Sequence, residues 1–107
     1  MPAPLPAISP TTESALADLG EHIRNARLKR LLTQEMLGER SGVGRRVIAK
    51  LERSPGNVPT GVLLEVLGVF DPNMVANAVA ALANDPIGET LARQRMPSRA
   101  VPAKDDF

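Results

Sequence analysis

The stretch Thr33–Glu52, TQEMLGERSGVGRRVIAKLE, decides how the rest of the chain is read. Thr33 is predicted to be an N-cap, its side-chain oxygen accepting from an orphan backbone N–H, and Gln34 and Glu35 suit the positive end of a first helical turn. Gly42 follows Met36, Leu37, Arg40 and Ser41 as a residue able to end that helix in the left-handed conformation without a Cβ penalty, and Val43 then turns inward. A second helix is expected from about Gly44 to Arg53. Its Ile48 and Leu51 face inward at a spacing of i and i+3, while Arg45, Arg46, Ala49 and Lys50 fall on the outer face.

Two short helices joined by a sharp glycine turn are the helix-turn-helix arrangement. Guanidinium groups near the start of the second helix suit the O6 and N7 acceptors of guanine, and a helix is narrow enough to enter a DNA major groove. The segment LGEHIRNARLKRLLTQEMLGERSGVGRRVIAKLERS resembles the first three helices of the Xre family, the DNA-binding domains of the Cro and phage-repressor type, and the resemblance runs from about Leu19 to Val69. It implies that Gln34 opens the first helix of the motif, and that Gly38 lets the two helices approach. It also implies that Arg27 and Glu52 pair between the first helix and the end of the reading helix. Arg45, Arg46 and Lys50 match positions whose side chains reach base edges, and Val47 is placed to meet a thymine methyl. Thr33, Gln34, Arg53 and Asn57 are the expected phosphate contacts, although Ser54–Pro59 holds no Lys or Arg where relatives often carry one. Gly44 stands where the family usually has a serine or threonine cap, an exchange expected to cost a few tenths of a kcal/mol at most.

The charge distribution points the same way. The net charge of +1 hides a basic half: Glu21–Arg53 holds nine Lys/Arg against four Asp/Glu, a net of +5, and the remainder holds four against eight, a net of −4. With 107 residues the expectation is one domain plus tails, an all-α, compact five- to six-helix repressor-like domain with flexible N- and C-terminal tails. Its predicted parts are a Pro-rich leader over 1–11, the helix-turn-helix domain over 12–84, and a short helix with a disordered tail over 85–107.

No cysteine is present, which excludes disulfides, thiolate nucleophiles and thiolate metal sites. The N-terminus MPAPLPAISPTT has neither a basic n-region nor a sustained apolar run, so a soluble, cytoplasmic protein without a membrane partner is expected. The single histidine, His22, lies on a polar stretch and reads as a surface residue. No glycine-rich phosphate loop and no carboxylate cluster with ligand spacing accompanies it, so no catalytic residue, metal, cofactor or small-molecule substrate is expected. Only Phe70 and Phe107 are aromatic, too few for the stacking platforms of an RNA reader.

Outside the motif, a first helix is predicted to begin near Thr12 with an apolar stripe of Leu16, Leu19, Ile23 and Ala26. A fourth is predicted over about Thr60–Phe70, packing through Leu63, Leu64 and Leu67. Asp71-Pro72 opens a fifth helix, apolar almost all round through Met74, Val75, Ala78, Val79 and Leu82. Such a helix is expected to be buried, with a second copy of the chain supplying part of the cover. Asp85-Pro86 opens a sixth. Its Leu-x-Arg-x-Arg and Pro-x-Arg pattern is similar to the C-terminus of HipB-like antitoxins, Xre proteins encoded beside HipA-type kinase toxins.

That resemblance implies a homodimeric repressor that binds palindromic double-stranded operator DNA, autoregulates its operon and neutralises a HipA-like kinase toxin. Leu91, Arg93, Arg95, Met96 and Arg99 are then the partner-binding residues. The alternative is a stand-alone Xre-type regulator or phage-like repressor with no toxin partner. A helical adaptor that has lost DNA binding is a further possibility, opposed by the basic outer face of the second motif helix.

Overall fold

The computed structural model describes residues 7–95, all helical or irregular, with no strand among them. The helices are α1 (Pro10–Lys29), α2 (Gln34–Ser41), α3 (Arg45–Arg53), α4 (Thr60–Phe70), α5 (Pro72–Ala83) and α6 (Pro86–Arg95), with one 3₁₀ turn over Pro55–Asn57 after α3. The all-α expectation holds. The chain divides into two units, Met1–Val75 and Ala76–Phe107. No helix among the described residues is long and apolar enough to cross a membrane.

Helix α1 starts at Pro10, two residues ahead of the expected Thr12. Ser9 is the cap: its hydroxyl accepts from the Thr12 backbone N–H at 3.3 Å, and Pro10 fills a position whose missing N–H would have no helical partner anyway. The helix ends through Leu31, which stands at φ 57 and is 87 % exposed. A leucine rarely occupies this left-handed region.

Helix α2 begins as read, with the Thr33 hydroxyl accepting from the Met36 N–H at 3.0 Å, and ends at Gly42 with φ 77. Gly44 departs from the reading of a slightly weaker cap. It sits at φ 89 and ψ 158, a region essentially closed to any residue with a Cβ, so a serine or threonine there would be strained. Glycine is required by the backbone path into α3. Gly38 has a separate reason to be small: a Cβ on it would lie 2.5 Å from the Gly44 carbonyl carbon and 2.6 Å from the Arg45 nitrogen. The close approach of α2 to the start of α3 depends on that missing methyl.

The core of the first unit is formed by Ile23 of α1, Leu32 of the following loop, Leu37 of α2, Ile48 and Leu51 of α3, and Val66 and Phe70 of α4. Each such side chain contributes roughly 1.5–3 kcal/mol by leaving water. In α4 the buried pair is Val66 and Phe70, four residues apart; Leu63 and Leu67 flank it half-buried, and Leu64 is half-buried outside the cluster. The expected Leu63, Leu64 and Leu67 face is therefore rotated. Seven of the eleven residues of α4 are large and apolar, so the stripe is only weakly marked; its one charge, Glu65, is exposed on the side away from Val66 and Phe70.

Both Asp-Pro pairs cap as their sequence suggests. Asp71 Oδ1 accepts from the Asn73 N–H at 2.9 Å, and Asp85 Oδ1 accepts from the Gly88 N–H at 3.0 Å. The burial expected for α5 is absent from the single chain: none of its residues is buried, and Val79 and Leu82 are 58 % and 84 % exposed. Helix α6 also buries nothing, and Ile87 is 73 % exposed.

Candidate nucleic-acid interface

Helix α3 presents its site because its opposite side is fixed. Ile48 and Leu51 are fully buried, which leaves Arg45, Arg46, Lys50 and Arg53 exposed with Ala49 half-buried between them. These five residues line one shallow groove of about 360 Å³. Among the described residues no carboxylate lies within salt-bridge distance of its four cations. A row of unneutralised cations on a helix narrow enough for the major groove suits phosphate attraction and acceptor-rich base edges. Val47, named for a thymine methyl, is half-buried, so only part of its side chain faces outward.

Among the residues assigned to phosphate, Thr33, Arg53 and Asn57 are exposed. Thr33 uses its oxygen to cap α2, leaving its O–H free to donate. Gln34 is half-buried and engaged: its Nε2 donates to Glu52 Oε1 at 3.2 Å.

Arg27 and Glu52 form the one salt bridge among the described residues, with side chains 9 % and 6 % exposed. Arg27 Nε donates to Glu52 Oε2 at 2.6 Å and Nη2 to Glu52 Oε1 at 3.0 Å, a bidentate fork. The third arm, Nη1, donates to the Leu32 carbonyl at 2.9 Å. The hydrogen bonding that Glu52 accepts from Arg27 raises the Arg27 pKa, burial opposes this, and the negative charge of Glu52 adds to the rise. Arg27 therefore stays protonated, and one guanidinium joins α1, the α1–α2 loop and the end of α3. No buried polar side-chain atom among the described residues lacks a partner.

Sequence reasoning missed two of these links. The Leu32 carbonyl carries no side-chain signal, and the Gln34–Glu52 bond joins residues eighteen apart that only packing brings together. It also missed Arg30, whose guanidinium sits 5.0 Å from the centre of the Phe70 ring and donates to the Phe70 carbonyl at 3.4 Å.

The residues assigned to a protein partner lie in the second unit. Leu91, Arg93 and Arg95 are exposed on α6, where Ile87, Leu91, Thr90 and Gln94 share one face with Pro86; Met96 and Arg99 fall outside the described residues. No group of three or more His, Asp or Glu residues that could hold a metal ion occurs among the described residues.

A family model described as helix-turn-helix matches residues 23–71, from the middle of α1 through Asp71. The match supports the Xre-type resemblance over that segment and, with it, a DNA-binding transcription regulator. No curated protein and no solved structure matches the chain.

The ion pair makes a direct prediction. Glu52→Ala strands a buried guanidinium and is expected to lower the unfolding free energy by about 3–5 kcal/mol in a urea titration. The double change Arg27→Met with Glu52→Leu, which removes both charges and fills the space, should stay within about 1 kcal/mol of the parent or exceed it.

Proposed function

We propose that this chain, with a helix-turn-helix over residues 23–71, is a sequence-specific, dimeric DNA-binding repressor that places α3 in the major groove of a palindromic operator. The observation that carries the reading is the row Arg45, Arg46, Lys50 and Arg53, exposed, with no ion-pair partner among the described residues and held by a fully buried opposite face. Arg45, Arg46 and Lys50 are assigned to base edges and Val47 to a thymine methyl. Thr33, Gln34, Arg53 and Asn57 are assigned to the phosphates on either side. No catalytic step is assigned to the chain.

Two copies are needed because one reading helix spans too few base pairs for useful specificity, and its mate must lie about 34 Å away, one turn along the groove. Helix α5 suits the contact between them. It buries nothing in one chain, exposes Val79 and Leu82, and carries no charged residue, so packing against its own copy meets no like-charge repulsion.

The further role of antitoxin to a HipA-like kinase is supported by the closing sequence pattern and by the exposed Ile87 and Leu91 of α6 beside Arg93 and Arg95. Co-expression with the product of the adjacent reading frame tests it. A kinase-like protein retained on this chain through α6 is the expected result, and its failure to bind leaves the stand-alone regulator.

Two substitutions test the DNA-binding part. Arg46→Ala is expected to cost about 1–3 kcal/mol on a selected operator duplex and much less on random DNA, measured by fluorescence anisotropy at fixed salt. Equal losses on both would make Arg46 a phosphate contact. Val79→Glu should yield a folded monomer by light scattering, with weakened operator binding; a variant that stays dimeric moves the interface away from α5.

A further inference from the structure

The buried ion pair reaches the DNA-facing surface through one bond. Glu52 Oε1 accepts from both Arg27 Nη2 and Gln34 Nε2, at 3.0 and 3.2 Å, while Oε2 accepts from Arg27 Nε. Resting on the DNA-binding reading above, we propose that Glu52 is a positioning residue, through which the Arg27–Glu52 pair holds the Gln34 side-chain amide in one orientation before DNA arrives.

The chemistry of the carboxylate decides that orientation. An ionised carboxylate only accepts hydrogen bonds, so the amide nitrogen of Gln34 must face it and the amide oxygen must face elsewhere. The oxygen and the second N–H remain for a ligand. Gln34 is the first residue of α2, directly after the Thr33 cap, and it borders the same groove as Thr33, Glu35 and Arg45. The amide thus lies between the capped end of α2 and the first cation of the reading helix. A glutamine on an open surface samples many rotamers and either amide face, and binding would have to order it. Here the rotamer loss falls on folding, and duplex DNA meets a group already set. Arg27 already gives Glu52 one bond on each oxygen, and the Gln34 amide takes up a further acceptor site on Oε1.

Two measurements test this. The first uses the unaltered protein: the side-chain ¹⁵N–¹H₂ heteronuclear NOE of Gln34 compared with that of Gln94, the other glutamine, which is exposed on α6. Gln34 should be rigid and Gln94 mobile; equal mobility overturns the proposal whatever the variants do. The second is a cycle on a duplex selected from a random library by the unaltered protein. Gln34→Ala should weaken binding about tenfold in the parent and less than about twofold in the background Arg27→Met with Glu52→Leu, which has already lost the tether. Equal losses in both backgrounds, or no loss in the parent, would mean that the ion pair is structural only. Should that background fail to fold, Glu52→Gln serves in its place: it keeps the size of the side chain but loses one acceptor oxygen, and the expected change is a shifted and more mobile Gln34 amide resonance. Failure of the unaltered protein to select any duplex would instead remove the DNA-binding reading itself, along with this proposal, while a rigid Gln34 would still mark the tether as structural.

Discussion

A desolvated charge pair governs this structure. Alone, either Arg27 or Glu52 would be a buried charge without compensation, and each is tolerated only because the other supplies two hydrogen bonds and an opposite charge. The requirement is geometric as well as electrostatic, since a bidentate fork forms only when α1 and the end of α3 stand in one relation. The remaining guanidinium arm on the Leu32 carbonyl extends the requirement to the loop that launches α2. Seven buried apolar side chains close the core, but apolar contacts are non-directional and tolerate small rotations. The pair is the contact that resists them, and it fixes how α3 stands against α1.

The turn between α2 and α3 works under a second constraint, a lack of atoms. Gly38 must have no methyl for the helices to approach, and Gly42 and Gly44 must adopt backbone angles that other residues avoid. These glycines place the first turn of α3 where Arg45 and Arg46 leave the protein surface, and the cations owe their common exposure to residues that have no side chains.

Features set by neighbours within about four residues were readable from the sequence: the Thr33 cap, the stop at Gly42, both Asp-Pro caps, and the division of α3 into a buried and a basic face. Each is a local matter of hydrogen bonding or of the helical period. Gly44 was misjudged because a cap preference describes side chains, whereas the reason for glycine is a torsion angle that composition does not reveal. In α4 the expected Leu63 and Leu67 do pack against the core, but the buried pair is Val66 and Phe70, because seven large apolar residues leave only Glu65 to mark the outer side. The Gln34–Glu52 bond was invisible because it exists only after three segments have converged. Family resemblance, rather than spacing, suggested Arg27 and Glu52 as partners; nothing between residues 27 and 52 announces it.

The uneven burial means that this chain does not have a single stability. The first unit contains every buried apolar side chain among the described residues, so the helical amides around that core should exchange with solvent only on cooperative unfolding. The portion of α5 beyond Val75 and the whole of α6 bury nothing, and their amides open by fraying at far lower free energy. Under the proposed assembly that second unit acquires its protection from another chain, and mass action then controls it through protein concentration. The first unit answers chiefly to temperature and denaturant. On that proposal, dilution loosens the second unit while the helix-turn-helix stays folded, so occupancy of DNA fades with protein dosage although the core of the first unit remains intact.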